Sequence, residues 1–169
     1  MIASTLRLAD PEHDREHLRS LWAEYLRWAN DNFDTEYGFR LDVDAILESN
    51  MADLTPYVEG DGRLLLADLD GEPVGTGCMK RLRPDTTEIK RRYVRPDGRG
   101  KGLGKAIFER LLEESRALGY RQVLLDSTRF MHTAHGIYRS AGFVEIDPYP
   151  ESEIPEDVRE HWIFMRLEL

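Results

Sequence analysis

The stretch Tyr93-Val94-Arg95-Pro96-Asp97-Gly98-Arg99-Gly100-Lys101-Gly102-Leu103-Gly104-Lys105 decides how this chain is read. A β-prone run, Thr86 to Val94, leads into it, and an apolar stripe at helical spacing leads out: Leu103, Ala106, Ile107, Leu111, Leu112 and Leu118. Between them lie four glycines, at 98, 100, 102 and 104, interleaved with Arg99, Lys101 and Lys105. Glycine lets backbone amides approach a ligand closely, and a helix start offers unpaired N–H groups with a partial positive charge. Strand, glycine loop and helix in that order predict an anion site built from backbone, with a phosphate or pyrophosphate as its ligand.

Upstream of this stretch, Gly62 to Asp70 and Val74 to Leu82 read as strands joined at the turn Asp70-Gly71. With Thr86 to Val94 beyond Pro84-Asp85 they form an antiparallel meander. Downstream, Gly119 caps the helix, and Gln122 to Asp126 is a short apolar strand. It follows a strand–helix unit and is therefore expected parallel to Thr86–Val94. Met131 to Ser140 reads as a helix ended by Gly142, and Phe143 to Ile146 and Trp162 to Leu169 as strands. At the start, Ser4 to Leu8 reads as a strand and His13 to Asn32 as one long helix, with Leu18, Leu21, Trp22, Tyr25, Leu26 and Ala29 inward. Asn30 to Arg40 reads as loop, and a second helix begins at Leu41-Asp42 and ends at Pro56. No repeat or linker interrupts this order, so residues 1–169 are expected to form a single domain, an α/β fold with a mixed, mostly antiparallel sheet of about seven strands flanked by helices.

Composition narrows the function. Net charge is −9, without the basic face that nucleic-acid binding needs. Cys78 is the single cysteine, which excludes an intrachain disulfide and a cysteine metal cluster, and no metal is expected. No apolar run approaches the roughly 20 residues of a spanning helix, and no basic-then-apolar leader opens the chain. A cytoplasmic location with no membrane partner is the expectation. The loop lacks the Lys-Ser/Thr end of nucleotide-hydrolase phosphate loops, and its glycines are spaced by two rather than as Gly-x-Gly-x-x-Gly. A dinucleotide-binding fold would also put the loop near the start of an all-parallel sheet, not after a meander.

Here the sequence resembles the GNAT superfamily of acyl-CoA-dependent N-acetyltransferases. The pattern Arg/Gln-x-x-Gly-x-Gly/Ala matches Arg99-Gly100-Lys101-Gly102-Leu103-Gly104, with Glu88 to Pro96 before it and Gly119-Tyr120 after the helix. Further on, Ile137-Tyr138-Arg139-Ser140-Ala141-Gly142-Phe143 looks like the family's Leu-Tyr-x-x-x-Gly-Phe. The likeness is strong over 62–146, and the order of elements agrees over the whole chain. It implies a sheet whose central parallel pair splays apart. Arg99, Gly100, Lys101, Gly102, Leu103 and Gly104 would then cradle the pyrophosphate of acetyl-CoA, with charge from Lys101 or Lys105. The pantetheine arm would pair with backbone near Tyr93, Val94 and Arg95.

The chemistry so implied is attack of a neutral amine on a thioester. It needs a proton acceptor, an acid for the departing thiolate and no protein nucleophile. By resemblance Tyr138 is the general acid, and Glu88, eleven residues before Arg99, is the candidate general base, acting directly or through water. Glu88 read simply as a strand carboxylate would instead pair with a neighbouring lysine or arginine. His132 and His135 read as solvent-facing helix residues. Many family members carry an asparagine seven residues before the tyrosine, where this chain has Met131. The acceptor end maps to about residues 28–57 and 147–162, rich in acids and aromatics, including Asp31, Asp34, Tyr149, Glu151 and Glu153. It would suit a cationic small-molecule or peptide amine, and the same residues read equally well as solvated loops. A homodimer through edge strands is compatible with the resemblance. The alternative to an enzyme is a non-catalytic acyl-CoA-binding regulatory domain.

Overall fold

The structure, a computed structural model, describes residues 3–169. The chain order is β1 (Ser4–Leu8), α1 (Arg15–Tyr37), α2 (Val43–Ala52), α3 (Thr55–Val58), β2 (Arg63–Leu69), β3 (Glu72–Arg83) and β4 (Thr86–Val94), then α4 (Leu103–Ala117), β5 (Gln122–Thr128), α5 (His132–Ser140), β6 (Val144–Ile146) and β7 (Trp162–Glu168). The seven strands form one sheet in the order β1-β2-β3-β4-β5-β7-β6. All pairings are antiparallel except β4 with β5, as the strand–helix–strand unit requires. Helices α4 and α5 cover one face through Leu103, Ile107, Phe108, Leu111 and Tyr138, and α1 to α3 cover the other through Leu18, Leu21, Trp22, Leu47 and Tyr57.

Two boundaries differ from the sequence reading. Helix α1 runs on to Tyr37 rather than stopping at Asn32, because Phe33 continues the inward stripe: its ring lies 5.2 Å from Phe39 and 5.0 Å from Trp162. The polar residues Asp31, Asp34 and Thr35, which suggest a loop, only mark the solvent side. The Asn30 side chain then brackets the returning chain, donating to the Leu41 carbonyl at 3.0 Å and accepting from its N–H at 2.7 Å. Pro56 does not end the second helix, which stops at Ala52. It sits in the first turn of α3, where a missing N–H costs nothing.

Two features of β4 set up the site. Its parallel ladder with β5 holds only at Thr86↔Gln122, Thr87↔Val123 and Glu88↔Leu124, whereas β5 stays paired with β7 as far as Thr128↔Trp162. From Ile89 to Val94 the edge of β4 facing β5 therefore has no strand partner. The second feature is a bulge. Lys90 pairs with Cys78 and Tyr93 with Thr76, so Arg91 and Arg92 together oppose Gly77, and Arg91 is left-handed at φ 53°.

Gly77 is needed there for packing. A Cβ on it would lie 2.5 Å from Ile107 Cγ2, in the fully buried contact between β3 and α4. Gly77→Ala is expected to destabilise the fold by about 1–3 kcal/mol, read as a lower Tm and denaturant midpoint at unchanged m-value. Combined with Ile107→Ala, the two losses should be less than additive, because the second substitution removes the clashing methyl.

Candidate active site

Where β4 and β5 part, a cleft of about 370 Å³ opens. Its walls are Tyr93, Val94 and Arg92 of β4, Arg99 and Gly104 of the glycine loop, Tyr25 and Trp28 of α1, and Phe130 to Ala134 with Ile137 around the start of α5. Among the described residues, none of the six consecutive amides from Gly100 to Lys105 donates to a protein acceptor; the next, Ala106, closes the first turn of α4 on the Gly102 carbonyl at 2.9 Å. Gly100 and Gly102 are left-handed, at φ 73° and 79°, with open space where a side chain would stand. Alternating left-handed residues turn successive N–H groups into a concave anion nest, here continuous with a helix N-terminus. The other two glycines have different reasons. A Cβ on Gly98 would press to 3.0 Å on Val74 and Val94, so it is a packing residue, whereas Gly104 lines the cleft itself.

The residues expected to hold a cofactor divide accordingly. Tyr93, Val94, Arg99 and Gly104 line the cleft, and Gly100, Lys101, Gly102, Leu103 and Lys105 offer amides. The Leu103 side chain is core. Arg99 lies on the cleft wall, its Nε donating to the Val94 carbonyl at 3.0 Å and its guanidinium 5.9 Å from the Tyr93 ring centre. Arg95 is turned away, held by Glu24 at 2.8 Å and the Pro73 carbonyl at 2.9 Å, so it fastens the loop base to α1. Lys105 pairs with Glu109 at 3.6 Å in solvent.

Tyr138 is buried behind the cleft wall, between Phe108 and Phe143, with the Arg92 guanidinium 4.8 Å over its ring. Glu88 lies at the floor of the fork and is fully buried. Tyr149 donates to its Oε1 at 2.7 Å, and Oε2 has no hydrogen-bond partner. Lys80 and Lys90 stand 3.7 Å from it, and both hold Glu153, at 2.7 and 2.9 Å. Asp126 Oδ2 is 3.5 Å from the Tyr149 hydroxyl. Burial works against the Lys90 charge, but Glu88, Asp126 and Glu153 outweigh it and its pKa is raised. Burial pushes Asp126 up, and burial together with Asp126 and Glu88 keeps the Tyr149 hydroxyl protonated. Glu88 is the partner of strand lysines that a plain strand carboxylate would be, and it is not among the residues that line the cleft.

Several site residues escape the sequence reading. Trp28 stands on the cleft wall with Phe130, their rings 5.8 Å apart. Lys90 carried a usable signal, because it shares a face with Glu88 on a central strand where unpaired charge is unaffordable. Tyr149 is not an open mouth residue but a buried donor. His135 is not solvent-facing: it is buried, with Nε2 3.1 Å from Ser127 Oγ, and burial lowers its pKa. His132 and Met131 do line the cleft.

These features place the chain among known proteins. Residues 14–143 match the acetyltransferase (GNAT) family. An uncharacterized N-acetyltransferase of Schizosaccharomyces pombe is 30% identical over 158 residues, 92% of this chain and 89% of that one. The IAA acetyltransferase of Azospirillum brasilense is 35% identical over 107 residues, 60% of this chain and 68% of that one. Among solved structures, the PaiA N-acetyltransferase of Thermoplasma acidophilum in complex with coenzyme A shares the fold, with a TM-score of 0.73 at 15% identity and 99% of both chains covered. The chain belongs to the acetyltransferase (GNAT) family, whose chemistry is acetyl transfer from acetyl-CoA. Among the described residues no helix is long and apolar enough to cross a membrane.

Two outcomes follow for this site. Gly102→Ala should cost about 1–2 kcal/mol for its left-handed backbone and turn the nest amides, so coenzyme A affinity by calorimetry should fall at least about 10-fold while the protein stays folded. Burial tends to raise the Glu153 carboxyl, but Lys90 and Lys80 pull it from 4.5 down to about 2. A depressed folded pKa stabilises above the unfolded value and is lost as pH falls through the folded one. Glu153→Gln should therefore lower Tm at pH 7, and the difference from the native protein should shrink between pH 4.5 and about 2.

Proposed function

We propose that this protein transfers the acetyl group of acetyl-CoA to a primary amine of a small molecule or peptide by direct attack. The observation that carries the reading is the run of six unpartnered amides opening onto a cleft at the β4–β5 fork. A pyrophosphate satisfies donors of that kind, and the unpaired edge of β4 next to Tyr93 and Val94 suits an amide-bearing arm. Acetyl-CoA supplies the thioester; the remaining roles belong to the chain.

Glu88 is the proposed base. An acceptor amine arrives mostly as an ammonium and must lose a proton before it attacks. Glu88 is sealed from solvent, so the proton passes through Tyr149: the phenol gives its proton to Glu88 Oε1 as its oxygen takes one from the ammonium. As the new C–N bond forms and the C–S bond breaks, Tyr138 gives its proton to the leaving sulfur. The tyrosinate is restored by the proton shed from the new amide nitrogen.

Release of free thiol from acetyl-CoA across a panel of amines tests the reading. Tyr138→Phe should lower kcat by about 10²–10⁴-fold with little change in KM for acetyl-CoA. Glu88→Gln and Tyr149→Phe should each lower kcat, and the double variant should be no worse than the poorer single one, as for groups acting as a unit. Saturable coenzyme A binding with no thiol release on any amine would favour the regulatory acyl-CoA-binding domain instead.

A further inference from the structure

The cleft at the β4–β5 fork has lining residues on both faces of the sheet. Val94 and the α5 residues Ala134 and Ile137 pack with the core beneath α4 and α5. Tyr25 and Tyr93 pack with the core beneath α1 to α3, and Phe130 with the cluster that holds Phe33 of α1 and Tyr149. The anion nest opens α4, so a pyrophosphate bound there makes the α4 side the donor half. An acceptor that reaches the thioester through the fork comes from the opposite face, along α1.

That half is walled by rings. Tyr93 lies 5.9 Å from Tyr25, Tyr25 lies 6.5 Å from Trp28, and Trp28 lies 5.8 Å from Phe130, centre to centre. Trp28 and Phe130 meet edge to face, at 77°. Tyr25 and Trp28 are three positions apart on α1 and share one side of the helix. Trp28 is 37% exposed, although Leu18, Leu21 and Trp22 of the same helix are fully buried. Leu8 and Val144, also exposed, lie on the edge strands β1 and β6 and line no part of the cleft. Apolar surface left open inside a concave site is surface that a ligand can cover.

Charge points the same way. Among the described residues no carboxylate lines the cleft, and its permanently charged side chains are Arg92 and Arg99. A second positive charge on the acceptor would find no counter-ion on this wall. An uncharged ring gains buried area and edge-to-face contact there. Phe130 packs in the cluster that contains Tyr149, so the ring wall is continuous with the place proposed for the amine.

We propose that Tyr25, Trp28 and Phe130 bind the body of the acceptor, and that the acceptor is an arylalkylamine: one primary amine carried on an aromatic ring, with no second charge. This deepens the proposed function and rests on it for the direction from which the amine attacks. It replaces a cationic acceptor held by acids with an apolar one held by rings.

The test is calorimetry with coenzyme A at saturation, using phenethylamine, cyclohexylethylamine, ethylamine and putrescine, followed by thiol release from acetyl-CoA with the same amines. Phenethylamine should bind about 10- to 100-fold more tightly than ethylamine or putrescine. It should bind about 2- to 10-fold more tightly than its cyclohexyl analogue. Trp28→Ala should remove most of the preference over ethylamine, and Trp28→Phe should keep most of it. Trp28 is exposed, so both variants should fold, with Tm near the native value. In Trp28→Ala the affinity for coenzyme A alone should change less than the affinity for phenethylamine. Equal binding of phenethylamine and ethylamine, tighter binding of putrescine, a preference that survives Trp28→Ala, or a loss of coenzyme A affinity as large as the loss of amine affinity overturns the proposal. Thiol release without ring preference overturns it alone and leaves acetyl transfer standing. Ring-selective binding without thiol release would leave the aromatic site standing and overturn the acetyltransfer reading instead.

Discussion

The site depends on β4 leaving β5 after three residue pairs. Strand β5 cannot follow it, because β7 holds β5 through seven consecutive positions, from Gln122↔Glu168 to Thr128↔Trp162. Strand β4 is drawn the other way, staying paired with β3 up to Val94↔Gly75. The bulge at Arg91 and Arg92 adds local twist at the point of divergence. Unpaired backbone groups inside a protein are costly, so a fork of this kind persists only if water or a ligand satisfies the peptide edge. The cleft, the loop at its mouth and the polar cluster at its floor are all consequences of that fork.

At the floor, the charges of Glu88, Asp126, Lys80, Lys90 and Glu153 are best understood together. A fully buried carboxylate alone would be prohibitively desolvated. Two lysines at 3.7 Å and a tyrosine hydrogen bond at 2.7 Å compensate, and Glu153 in turn occupies the lysines. Tyr149 and Glu153 both come from the segment between β6 and β7, so that segment closes the floor of the fork as well as joining two strands. Compensation is incomplete at Glu88 Oε2, which is buried without a hydrogen-bond partner, and at Asp126, which burial pushes up.

How much of this is legible in the sequence differs by scale. The sheet, its meander and the parallel pair follow from alternation, two turn dipeptides and one strand–helix–strand order. The anion nest follows from glycine spacing, although the spacing does not say that Gly98 serves packing and Gly104 the cleft; that depends on Val74 and Val94 lying beneath the loop. The extension of α1 to Tyr37 is hidden because its partners, Phe39, Phe130 and Trp162, are remote in sequence or across a turn. Tyr149 on Glu88 spans 61 residues, a contact no local pattern encodes. Arg95 illustrates the opposite error. It sits beside the loop in sequence, yet Glu24 on α1 claims it.

Local composition misleads most at the acceptor end. Residues 28–57 and 147–162 look acidic, and acidity suggests affinity for a cation. Once folded, Asp31, Asp34, Glu151 and Glu153 each face an arginine or lysine, and paired surface charges contribute little field beyond their own partners. Arg91 lies in a strand that reads Lys-Arg-Arg, where three successive cations resemble solvated surface. The bulge separates them: Lys90 joins the Glu88 cluster, Arg92 covers the Tyr138 ring, and Arg91 is left with a neutral amide and a buried N–H. Three adjacent cations thus meet three different surroundings, which the run Lys-Arg-Arg does not distinguish.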